Sequence, residues 1–212
     1  MKIISFEGIE GVGKSTQISL LKEYLESKKY LVEIYREPGS TTTGEKIRDI
    51  LLNNSSQLSD KAELLLMFAA RAELINQKIN KSKADFILFD RFYDASIAYQ
   101  GYGRNLSKTF INELTLFIEC PEPNLSFLLD ISVEEGFSRK TNDIKDRIES
   151  AGIEFFNNVR NGYLEIAKDK RFVTIDASNN IQFIHKSIIK NIESLTSVSY
   201  THLRAHETRG NL

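Results

Sequence analysis

The chain has 212 residues, the size of one α/β domain, and 41% of them are hydrophobic, enough for a real core. Its 28 basic and 29 acidic residues leave a net charge of −1, which argues against a broad basic surface for nucleic acid or membrane and makes any anion site local. Cys120 is the only cysteine, which excludes an intrachain disulfide; the absence of a long apolar run, and a first strand that begins at once, predict a cytoplasmic protein without a signal peptide or membrane span.

In chain order, Ile3–Phe6 is a short apolar run of strand type. It leads into Gly8-Ile9-Glu10-Gly11-Val12-Gly13-Lys14-Ser15, which fits the phosphate-loop pattern G-x-x-x-x-G-K-[ST]. Ile18, Leu20, Leu21 and Leu25 then recur at helical spacing. Strand, glycine loop and helix form the context this motif demands. Glycines let backbone N–H groups turn inward around phosphate oxygens, and the helix start adds a favourable dipole. Lys14 supplies charge near the β- and γ-phosphates, and Ser15 offers a hydroxyl to Mg²⁺. An ordinary glycine-rich turn is the plainer alternative, and the agreement of pattern with context weighs against it.

Leu31–Tyr35 reads as the second strand, followed by the rigid turn Arg36-Glu37-Pro38-Gly39, with Arg48 one helix length beyond. Asp60–Lys81 reads as a long helix carrying Met67, Phe68 and Arg71. Positions 67 and 71 share a face, an arrangement that suits stacking a base and bonding its carbonyl edge, although a core residue beside a surface arginine has the same pattern. Phe86–Phe89 reads as a third strand closing on Asp90-Arg91. An aspartate there commonly orders Mg²⁺. Arg91 stands where motor ATPases carry a glutamate, and its planar fork suits a second phosphate-bearing substrate; a strand-end ion pair is the alternative.

Lys108–Glu119 reads as a helix and Leu125–Ile131 as a strand. The polar stretch Arg139–Ser150, with Arg139, Lys140, Lys145 and Arg147, reads as a solvated loop or, more sharply, as a lid that brings cations to phosphates. Helix Ile153–Ala167, strand Phe172–Ile175 and helix Ile181–Leu195 complete the domain, with His185 read as a surface or packing residue. Residues 197–212, with His202 and His206 and no periodicity, read as a disordered tail foreign to the domain pattern. Strands alternating with helices predict a parallel sheet covered on both faces, with ligands beyond the carboxyl ends of the strands.

Taken together, four pieces resemble the bacterial thymidylate kinase family, enzymes that phosphorylate dTMP. They are Phe6-Glu7-Gly8 through Ser15-Thr16, Arg36-Glu37-Pro38-Gly39, the run Asp90-Arg91-Phe92-Tyr93-Asp94-Ala95-Ser96-Ile97-Ala98-Tyr99-Gln100-Gly101, and Asp146-Arg147-Ile148-Glu149. They occur in family order over residues 1 to about 195. The resemblance implies an α/β, three-layer P-loop kinase fold over residues 1–196, a five-stranded parallel sheet flanked by helices, and a short lid at about 139–150. It implies ATP and Mg²⁺ as co-substrate and cofactor, dTMP as acceptor, and a homodimer.

By the same resemblance, Gly8 through Thr16 hold ATP, with Ser15 and Asp90 on the metal. Glu10 faces the nucleoside monophosphate and its magnesium. Arg91 and Arg48 hold the dTMP phosphate, Arg71 bonds the thymine carbonyl, and Glu37, Ser96 and Gln100 line the acceptor site. Tyr99 crowds the 2′ position, and Arg139 with the Asp176-Ala177-Ser178 turn flanks adenine. The chain departs from the family twice. Met67 stands where a phenylalanine is usual, with Phe68 next, so either covers the base. Gly11-Val12 replaces an arginine that some relatives carry in the loop, so the catalytic cation is expected from the lid: Arg147 first, Arg139 second. The rivals are a kinase for another nucleotide or a deoxynucleoside, a nucleotide-binding switch (disfavoured because Asn-Lys-x-Asp is absent), and a motor ATPase (disfavoured by Arg91).

Overall fold

A computed structural model describes residues 1–140 and 146–207, the stretch 197–207 by backbone alone. Five parallel strands form one sheet: β1 (Lys2–Glu7), β2 (Val32–Arg36), β3 (Phe86–Asp90), β4 (Leu125–Asp130) and β5 (Phe172–Asp176), in the spatial order β2-β3-β1-β4-β5. Each predicted strand is present, with bounds that differ by no more than one residue. The helices are α1 (Lys14–Ser27), α2 (Thr42–Leu52), α3 (Asp60–Gln77), α4 (Tyr93–Ser96), α5 (Lys108–Phe117), α6 (Val133–Ser138), α7 (Ile153–Ile166) and α8 (Ile181–Glu207).

Strand alternation divides the core between the two faces of the sheet. Ile4, Phe6, Phe86 and Leu88 join the larger cluster, with Leu21 and Leu25 of α1, Phe156 and Val159 of α7, and Ile188 and Ile192 of α8. Ile3, Ile87 and Phe89 face the other way, with Leu74 and Ile75 of α3. Register sets Arg36 opposite Asp90 and Asp90 opposite Phe6, while Asp130 and Asp176 pair three residues farther along. All five strands close on the same end of the sheet, from which the loops of the site emerge.

Three helices had no clear signal in the sequence. In α2 only Leu51 among the large apolar residues is buried, and the helix is set by its start, where the Thr41 side chain accepts from the Gly44 amide and Glu45 sits in the first turn. Helix α4 runs directly into a π-helical turn, Ile97–Gly103, inside the family-like run. Helix α6 is a short helix capped by the Ser132 side chain. The long helix expected over 60–81 ends at Gln77 and continues as a 3-10 turn, Ile79–Lys81. Helix α8 extends past Leu195 to Glu207. The side chains from 197 and all of 208–212, on which the expectation of a tail rests, lie outside the described residues, as do 141–145 of the expected lid. No helix among the described residues is long and apolar enough to cross a membrane.

Candidate active site

A cleft of about 460 Å³ opens at the carboxyl ends of β1, β2 and β3, a volume suited to nucleotide-sized ligands. Glu10, Gly11, Gly13, Lys14, Ser15 and Thr16 line one side of it. Ile9 and Val12 sink into the core instead, and together with Gly8 contribute backbone to the loop. Gly11 and Gly13 adopt φ of 75° and 90°, a region that favours glycine. At Gly11 a Cβ would also meet the carbonyl oxygen of Gly136 at 1.9 Å, so the loop lies directly on the backbone of α6.

Lys14 curls back over the loop, its Nζ donating to the carbonyls of Ile9 at 2.8 Å and Gly8 at 3.2 Å. Burial, helped by the nearby Arg91 charge, pushes its ammonium down to about 8. The Ser15 hydroxyl donates to Asp90 Oδ2 at 3.0 Å, which joins the two residues expected at the metal.

Arg91 is the centre of the second half of the site. Its φ of 67° is unusual for a residue with a side chain. Its Nη1 donates to the Gly8 carbonyl at 2.6 Å and to the Tyr163 hydroxyl at 3.1 Å, while Nη2 pairs with Glu10 at 2.8 Å. The guanidinium lies 4.9 Å from the Tyr99 ring, and the Tyr99 hydroxyl donates to Glu10 at 2.8 Å. Burial works against the Arg91 charge, but Tyr99, Tyr163 and Glu10 more than offset it and hold its acidity well below that of a free guanidinium.

Beneath this group lies Glu7, which is fully buried. Its Oε1 accepts from the Phe92 amide at 2.9 Å, and Oε2 lies 3.2 Å from the Tyr163 hydroxyl. Burial, reinforced by Asp94, pushes its carboxyl up to about 8. Neither Glu7 nor Tyr163 was singled out from sequence, because a carboxylate closing an apolar strand and a tyrosine within a helical pattern carry no signal until the fold joins them.

At the far end of the cleft, Arg71 Nε donates to Glu37 at 2.7 Å and Nη2 to the Ser96 hydroxyl at 3.1 Å. Both charges are buried, and Arg71 Nη1 and Glu37 Oε1 have no protein partner among the described residues. Desolvation raises the Glu37 carboxyl even though Arg71 opposes it. Met67 lines the cleft, whereas Phe68 packs beneath the Arg71 guanidinium, 4.7 Å from it, in a cluster with Leu64 and Ile111. Of the two, Met67 is therefore the one that faces the cleft. Arg48 lines the cleft beside Arg36, its Nη1 donating to the Pro38 carbonyl at 2.9 Å across the cis Glu37–Pro38 turn.

The two described ends of the expected lid divide the expected cations. Arg139 and Lys140 line the cleft, and Arg139 donates to the Ala177 carbonyl at 2.9 Å, which ties the end of α6 to the turn after β5. Arg147 does not line it. Its Nη2 bonds Glu63 at 2.6 Å and its Nε the Leu51 carbonyl at 2.8 Å. Of the two arginines expected from this stretch, Arg139 therefore stands at the cleft, and Arg147 is held away from it by a buried carboxylate.

The whole arrangement is one continuous cleft with a triphosphate-type loop at one end and a buried cation–carboxylate pair at the other. The family model described as Thymidylate kinase matches residues 6–188. The chain is 43% identical to thymidylate kinase of Kosmotoga olearia over 88% of this chain and 93% of the relative. It is 42% identical to that of Prosthecochloris aestuarii over 90% and 92% respectively. The crystal structure of thymidylate kinase from Ehrlichia chaffeensis superposes with a TM-score of 0.74 at 33% identity, over 91% of this chain and 98% of that one. With a model match over most of its length and relatives above 40% identity, the chain belongs to the thymidylate kinase family.

Proposed function

We propose that this chain transfers the γ-phosphoryl group of ATP to the phosphate of dTMP, giving ADP and dTDP. The observation that carries the reading is one shared atom: the Gly8 carbonyl accepts from both Lys14 and Arg91. A cation for the triphosphate and a cation for a second phosphate therefore stand side by side, as an in-line transfer requires.

An acceptor phosphate oxygen is already an anion, so it attacks the γ-phosphorus without a general base. The new P–O bond forms as the bond to the β-phosphate oxygen breaks, and ADP leaves. Lys14 offsets charge on the donor, Arg91 and Arg48 hold the acceptor, and Arg139 and Lys140 stand where the lid meets the cleft. The unpaired Arg71 Nη1 supports a carbonyl-bearing base, since a buried donor without a partner is costly unless a ligand supplies the acceptor. The residues fit Mg²⁺: Ser15 and Asp90 supply two oxygens at the loop, as expected for an ion that takes few protein ligands, and when bound it would neutralise phosphate charge there. The family resemblance and the exposed Phe110, Leu116 and Phe117 on α5 support a homodimer, and the composition suits a cytoplasmic enzyme.

The test is a coupled assay of ADP release with and without dTMP, repeated with dUMP, CMP, GMP and thymidine. Release that depends on dTMP and falls off across the panel is expected. Equal rates across the panel would defeat the base assignment, and binding without transfer would defeat the enzyme reading.

A further inference from the structure

Glu63 lies outside every motif read from the sequence, yet it has the densest set of donors near the site. It sits in the first turn of α3 with its side chain 1% exposed. Its Oε1 accepts from Gln100 Nε2 at 2.9 Å, and its Oε2 from Arg147 Nη2 at 2.6 Å and Arg104 Nη2 at 3.2 Å. Burial alone would make it a weaker acid, but Gln100, Arg104 and Arg147 reverse that and keep it ionised.

An ionised carboxylate only accepts hydrogen bonds. It therefore fixes which end of the Gln100 amide points towards it: the NH₂ is held by Glu63, and the amide oxygen is what Gln100 has left to offer the cleft it lines. An oxygen there pairs with a pyrimidine that carries a proton on N3, as thymine and uracil do. It repels the bare N3 lone pair of cytosine.

We infer that Glu63 is a positioning residue for base selection: it locks the Gln100 amide in the oxygen-inward sense, while Arg104 and Arg147 hold its other oxygen. This rests on the proposed dTMP kinase activity. It adds a cause for the sense of Gln100, distinct from the contact proposed for Arg71, which bonds Ser96 one turn before Gln100.

Glu63→Gln is the decisive change. The two arginines hold the oxygen of a glutamine at 63, which turns its NH₂ toward Gln100. The Gln100 oxygen then rotates to accept from it, and its NH₂ faces the cleft. The expected result is a fall of about tenfold or more in the ratio of kcat/KM for dTMP to that for dCMP. Arg147→Lys, which leaves the Glu63–Gln100 bond in place, should alter kcat and leave that ratio unchanged.

Removing one buried charge beside two arginines endangers folding. Glu63→Gln combined with Arg104→Met restores the balance and should show the same loss of selectivity. A third readout needs no variant at Glu63: the side-chain NH₂ nuclear magnetic resonance signals of Gln100 in the wild type should keep their carboxylate-bonded position when dTMP is added. An unchanged dTMP/dCMP ratio in a folded, active variant, or signals that move as the NH₂ turns to the base, overturns the inference alone. A wild type that does not phosphorylate dTMP overturns the proposed function, and the selectivity claim with it.

Discussion

Lys14 is charged only at some cost, since it is buried beside Arg91 and its ammonium is pushed down to about 8. Its charge in the free enzyme is therefore lost as pH rises through that value. A bound triphosphate restores it by adding negative charge. The expected outcome is that kcat/KM for ATP, which reports the free enzyme, falls above about pH 8 while kcat at saturating ATP falls later. A steady-state pH series at saturating dTMP measures both limbs; a flat kcat/KM from pH 7 to 9 would rule the shift out.

Glu7 has the opposite sign. Its carboxyl is pushed up to about 8, so the folded chain keeps a proton that the unfolded chain releases near 4.5. The stability it contributes is complete below the lower value and is lost as pH climbs through the higher one. Glu7→Gln imitates the protonated form, accepting from the Phe92 amide and donating to Tyr163. Stability measured by urea unfolding should therefore show the wild type losing ground to the variant between about pH 5 and 8. A constant difference across that range would show that Glu7 does not hold the proton. Lys14 and Arg91 were legible in the sequence because each sits in a motif whose spacing encodes its chemistry. Glu7, Tyr163 and Glu63 were not, because their partners lie 37 to 156 positions away and only the fold brings them together.

The contact that shapes the phosphate loop is between elements rather than side chains. Gly136, in α6, lies so close to the loop that a Cβ would meet the Glu10 carbonyl oxygen at 2.6 Å and the Ile9 side chain at 3.2 Å. Two opposing effects follow for Gly136→Ala. Helix propensity favours alanine by about 1 kcal/mol. A clash with backbone, which cannot swing aside as a side chain can, costs about 1–3 kcal/mol. The clash should win, giving lower stability by urea unfolding and a raised KM for both ATP and dTMP, since Glu10 and Gly11 shift together. A variant more stable than the wild type with unchanged KM values would show that the loop yields freely.

Element legibility follows the same physics. The inner strands β1, β3 and β4 stood out as apolar runs because they are buried on both faces, and the half-exposed edge strands β2 and β5 stood out by their β-branched and aromatic residues. Helices α1, α3, α5 and α7 stood out because each carries several apolar turns. Helices α2 and α6 escaped because they are set by their capping side chains, Thr41 and Ser132, more than by an apolar stripe, and α4 because it is a single turn. Yet α2 and α6 carry Arg48 and Gly136, so the elements hardest to read are among those that shape the site.

At the scale of the molecule, the parallel sheet solves a problem of distance: residues 14, 48, 71 and 91 reach one cleft because every strand ends at the same edge. The sheet says nothing about what covers its outer helices. Helix α5 leaves Phe117 82% exposed, Leu116 78% and Phe110 46%, an unusual concentration of apolar side chains on one short helix. Net charge does not oppose association, since 28 basic residues nearly balance 29 acidic ones. If this face covers itself in the proposed homodimer, Phe117→Glu places two like charges in the contact, one from each copy. The monomer should be unharmed, because a side chain this exposed contributes little to its own fold. Sedimentation equilibrium should then show a dimer for the wild type and a monomer for the variant at the same concentration, with the circular dichroism unchanged. A wild type that sediments as a monomer defeats the homodimer. A variant that remains a dimer moves the contact to another face, and α5 would then need a different explanation for its exposed phenylalanines.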